Sequence, residues 1–107
     1  MSDMFDLTKH RILIDACLKN NVWFFWHGAG TMLIDRAKLP LVLREVQNAG
    51  YEVLGLEGFE MESLDIHPRL DLIYDAERRP EDGLTILETW PDGVWVDVVL
   101  RRREQSR

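Results

Sequence analysis

Cysteine is almost absent from this chain: Cys17 stands alone, so no intrachain disulfide can staple the fold. Long apolar runs are missing too, and none approaches the roughly 20 residues that a helix needs to cross a bilayer. The opening stretch, MSDMFDLTKH, lacks the basic-then-apolar order of a secretory signal. Together these absences point to a cytoplasmic protein that does not enter the membrane. Histidine is scarce, and His10, His27 and His67 have no second His or Cys at ligand spacing, so no metal site is expected. Ser2, Ser63 and Ser106 have no G-x-S-x-G context, no triad can be assembled, and no cofactor motif is complete. Basic residues are nearly missing from residues 52–100, where three Arg face thirteen Asp and Glu. Such a stretch repels a phosphate backbone, which argues against nucleic acid as a partner, and it attracts a basic protein or a cationic ligand.

What is present suits one globular domain over residues 1–107, 46% apolar, with a basic tail frayed from about 101 to 107. Leu7, His10, Ile14, Cys17 and Leu18 recur at helical spacing and predict a helix from about Leu7 to Lys19, capped by Asp6 or Thr8. VWFFW is β-branched or aromatic throughout and reads as a strand; being apolar on both faces, it is expected to be central or covered. TMLID reads as a short return strand. A second helix starts near Lys38, since Pro40 fits only a first turn, and Gly50 supplies its stop. YEVLGLEGFEM is a strand bent at Gly55 or Gly58, and RLDLIYD is another, with Leu70, Leu72 and Tyr74 on one face. LTILETWPDGVWVDVVL reads as a hairpin around Pro91, Asp92 and Gly93. The sum is an α+β two-layer sandwich: a mostly antiparallel sheet of about five strands with two helices packed on one face.

The glycine pair of HGAGT offers two of the three glycines of a phosphate-binding turn, and no Walker lysine follows. A strand followed by paired glycines resembles the opening of nucleotidyltransferase domains. That family next carries two aspartates one residue apart on a strand, a spacing found nowhere here, so the likeness ends after a few residues. Gly28 and Gly30 are read instead as a tight turn beside bulky tryptophans.

Two features remain as candidate sites. Asp71, Asp75 and Asp97 are expected on the sheet face away from the core. In one hairpin register Glu88 lies opposite Asp97, and facing carboxylates would raise one pKa, as a hydrolytic pair requires. The second feature is aromatic: Trp23, Trp26, Trp90 and Trp95 are many for so small a chain, and Trp23, Trp26, Trp95 and His27 are candidates for a pocket or an interface. The leading expectation is a non-enzymatic binding module with an acidic, tryptophan-bearing surface; its sharpest version is an immunity-type or antitoxin-type inhibitor of a basic partner. The alternatives are a pocket for a cationic small molecule, with carboxylate chemistry at Glu88 and Asp97, and a self-assembling domain. A homodimer is expected because two helices cover one sheet face and tryptophans project from both.

Overall fold

The computed structural model describes residues 7–28 and 30–103, with side chains from His10 onward. Its elements are α1 (Leu7–Lys19), β1 (Phe24–His27), β2 (Thr31–Asp35), α2 (Leu39–Asn48), β3 (Tyr51–Glu62), β4 (Asp65–Asp75), α3 (Gly83–Leu87) and β5 (Val94–Arg102). The strands form one sheet in the order β1-β2-β5-β3-β4, and every pairing is antiparallel. The fold is α+β, with the helices against one face. Among the described residues no helix is long and apolar enough to cross a membrane.

Alternation places Val94, Val96, Val98 and Leu100 of β5 and Met32 and Ile34 of β2 on the helix side, all buried. They pack against Leu13, Ala16 and Cys17 of α1, Leu39, Val42, Leu43 and Val46 of α2, and Ile86 and Leu87 of α3. The second helix follows its sequence signals: Pro40 sits in the first turn, and the buried residues form one amphipathic stripe. The turn between β1 and β2 has Gly28 at φ 65° and Gly30 at φ 95°, left-handed geometry that side chains resist. The expected bends in β3 occur where the ladders shift, between Val53 and Gly55 against β5 and between Glu57 and Gly58 against β4.

Several expectations are corrected. The stretch LTILE does not form the first arm of a hairpin; residues 83–87 are a short helix. Asp82 starts it, its carboxylate accepting hydrogen bonds from the backbone N–H of Leu84 (2.7 Å) and Thr85 (3.3 Å). Ile86, Leu87 and Trp90 are thereby buried, and β5 inserts between β2 and β3 instead of pairing with the segment before it. β1 is an edge strand and not a central one. Leu70 is 77% exposed, because Ile73 pairs with Glu57 while Arg69 already pairs with Gly58, leaving Leu70, Asp71 and Leu72 in a bulge from which only Leu72 reaches the core. Leu18 lies off the buried stripe of α1. The tail is ordered further than expected: Arg101 and Arg102 belong to β5, and Arg101 Nη2 meets Glu52 Oε2 at 2.6 Å. The cap at Asp6, the side chains of Leu7 and Thr8, and residues 104–107 lie outside what is described.

Candidate functional site

Residues opposite one another in an antiparallel ladder share a face. The pairings Phe25–Leu33, Leu33–Asp97, Asp97–Glu57 and Glu57–Ile73 therefore set five side chains in one row across the face turned away from the helices. A neighbouring row runs Val99–Gly55–Asp75. Because Gly55 contributes no side chain, the second row has a gap, and a groove of about 290 Å³ opens there. Its walls include Glu57, Ile73, Asp75, Asp97 and Val99.

The groove is acidic and partly apolar. Ile73 and Val99 are each 46% exposed. Glu57 and Asp97 oppose each other across β3 and β5, and among the described residues neither forms an ion pair. Burial, and then the charge of Glu57, push the Asp97 carboxyl up to about 6. Asp75, at the rim, accepts a hydrogen bond from the Glu77 N–H at 2.9 Å and lies 3.8 Å from Arg78 Nε.

Above the row, Phe25 and Trp95 meet edge to face with ring centroids 4.9 Å apart. Leu33 is fully buried on this side although no helix covers it. His27 and Phe59 come within 6.4 Å, whereas three strand spacings in a flat sheet would alone hold them at least roughly 14 Å apart. The sheet therefore curls over Leu33 and Asp97, which supplies the burial that Asp97 experiences.

The sequence-derived candidates divide accordingly. Asp75 and Asp97 share the groove, and Trp95 stands two residues from Asp97 on the same face. Asp71 does not join them: Arg69 donates to its two oxygens at 2.9 and 2.8 Å and holds its carboxyl below the usual range. The facing pair of Glu88 and Asp97 does not form, since Asp97 is paired with Leu33 and Glu57 while Glu88 follows α3 and lies 3.8 Å from Arg44. Trp23 (76% exposed) and Trp26 (44% exposed) lie at β1, away from the groove, and the Trp26 ring meets His10 of α1 at 5.2 Å. His27 is exposed beside Phe59. A second cleft, of about 380 Å³, lies between the end of α1 and the start of β1, lined by Cys17, Leu18, Asn21, Val22, Trp23 and Phe24.

Sequence reading missed Glu57, Gly55, Ile73 and Val99. One local signal was available: GLEG places an acid between two glycines inside a strand, where glycine marks a bulge or a gap. Among the described residues, no three His, Cys, Asp or Glu side chains converge as metal ligands do. No protein-family model, curated protein or solved structure matches this chain.

Proposed function

We propose that the protein is a binding module whose open sheet face receives cationic side chains of a basic protein partner. The inhibitor-type role, immunity or antitoxin, is the sharpest form of this reading. The observation that carries it is the opposition of Glu57 and Asp97 beside the Gly55 gap, with no ion-pairing partner among the described residues. Like charges directly opposite in a ladder are destabilising. An ammonium or guanidinium group placed between them removes the repulsion, while Ile73 and Val99 offer its aliphatic stem an apolar wall. The surrounding segment strengthens the attraction, since residues 52–100 carry thirteen acidic and three basic groups.

A second reading, a cationic small molecule in the same groove, is favoured by its volume of about 290 Å³, close to the lower end of ligand pockets. One NMR titration separates the two. A peptide rich in lysine and arginine should shift Gly55, Glu57, Asp97 and Val99, more weakly as salt rises, and the E57Q/D97N variant should lose at least about tenfold in affinity. A free guanidinium compound binding as tightly as the peptide would favour the small-molecule reading. Equal shifts with an acidic peptide of the same length, or shifts confined to other surfaces, would sink both.

A further inference from the structure

The groove leaves β1 unexplained, and this edge of the sheet differs in kind from the other. Among the described residues β1 pairs only with β2. The Trp23 carbonyl accepts from the Asp35 N–H at 3.0 Å, so the backbone groups of residues 23, 25 and 27 face β2. By the alternation of an antiparallel ladder, the N–H and C=O of Phe24 and Trp26 face outward. No charged residue and no proline stands between Lys19 and Asp35. The opposite edge, β4, carries Pro68, a bulge and the bonded pair Arg69–Asp71, all devices that block strand addition.

We propose that β1 is a docking edge for a second copy of this chain, the two β1 strands pairing antiparallel about a two-fold axis to join two five-stranded sheets into one of ten. Opposed residues must share a face, which restricts the register. With Phe25 against Phe25 on the axis, Phe24 of each copy opposes Trp26 of the other. These two pairs exchange four N–H···O bonds and satisfy every outward backbone group of β1. Trp26 of the second copy then lies beside Phe24, a wall of the cleft that Trp23 and Leu18 also line. This mode combines main-chain pairing with a side-chain pocket, as strand addition does elsewhere.

Charge distribution selects a second copy as the occupant. The chain carries a net charge of -6, and its acidic stretch contributes β3, β4 and β5. Strand order puts β4 at the far side from β1. Joined through β1, the two β5 strands stand five spacings apart, roughly 24 Å, and the two β4 strands nine, roughly 43 Å; both distances exceed two screening lengths in ordinary buffer. The two β1 strands that meet carry no charged residue, and both acidic grooves stay open on one face of the joined sheet. The proposal is independent of what those grooves bind.

Sedimentation combined with amide exchange on the unmodified chain tests it. The expected result is a dimer in the micromolar range, with exchange at Phe24 and Trp26 slowing as protein concentration rises. Exchange at Phe25 and His27, bonded to β2 within each copy, should not depend on concentration. The W26K variant should keep a buried Trp90 fluorescence and sediment as a monomer. A monomer throughout that range would leave the edge to a strand of another protein and overturn the proposal. So would a dimer whose Phe24 and Trp26 amides exchange at the same rate at every concentration, or a W26K variant that is folded and still dimeric. Should W26K fail to fold, the exchange pattern of the unmodified chain decides alone.

Discussion

Two side chains show how placement decides chemistry at the scale of single residues. Cys17 is buried on the inner face of α1, and burial pushes its thiol up to about 12, so it is protonated at neutral pH. Its modification by a thiol reagent should be slow in the native protein and fast in denaturant; fast native labelling would mean that α1 turns a different face to the core. Burial acts in the same direction on Asp97, a carboxyl held in a crowded row of the sheet with its pKa raised to about 6. The folded state binds that proton more tightly than the unfolded state, whose aspartates titrate near about 3.9. The contribution of Asp97 to stability is therefore greatest below the unfolded value and is lost as pH rises through about 6. Discounted for partial exposure, the loss is about 1–2 kcal/mol. D97N, which cannot ionise, should be more stable than the unmodified chain at pH 7 by that amount and nearly equal at pH 4. Thermal melts at the two pH values measure it, and a variant no more stable at pH 7 would show that Asp97 is better solvated than its surroundings imply.

Elements add a second layer of constraint, and here the two glycines of β3 behave differently. A Cβ on Gly58 would lie 2.8 Å from the Leu72 Cβ, both on paired strands, whereas one on Gly55 would meet nothing closer than 3.4 Å. G58A should thus cost about 1–3 kcal/mol by overpacking while G55A leaves stability nearly unchanged, a contrast readable in denaturant midpoints. Removing the Asp82 cap of α3 by D82A should cost about 1 kcal/mol, measured the same way. This short helix also marks how far sequence reading reaches. α2 was legible because Pro40, a single apolar stripe and Gly50 agree. β5 was legible because apolar residues alternate from Val94 to Leu100. The segment from Leu84 to Leu87 was not, since three apolar residues around one threonine fit a strand as well as a helical turn, and Asp82 was the only local cue. The site divides in the same way. Asp97 was visible because alternation alone turns it from the core. Glu57 was hidden because its opposition to Asp97 depends on which strand lies beside β5, and that is decided by packing over distances no local window spans.

At the scale of the whole molecule, spatial order departs from chain order, and the departure has a consequence for biosynthesis. β1–β2 and β3–β4 are hairpins of neighbouring strands, and each can form soon after it is made. Neither touches the other within the sheet until β5 enters between them. A chain ending at Gly93 should therefore lack a cooperative unfolding transition, and a peptide of residues 94–107 added in trans should restore one; a truncated chain that melts cooperatively would show that the helices alone unite the halves. During translation the two hairpins wait with their inner edges bare, and such edges invite pairing with other chains. Completion comes in one step, when Val94–Arg102 has cleared the ribosome and slides between them. A ribosome that stalls before Val94 thus leaves two sticky half-sheets instead of one joined sheet.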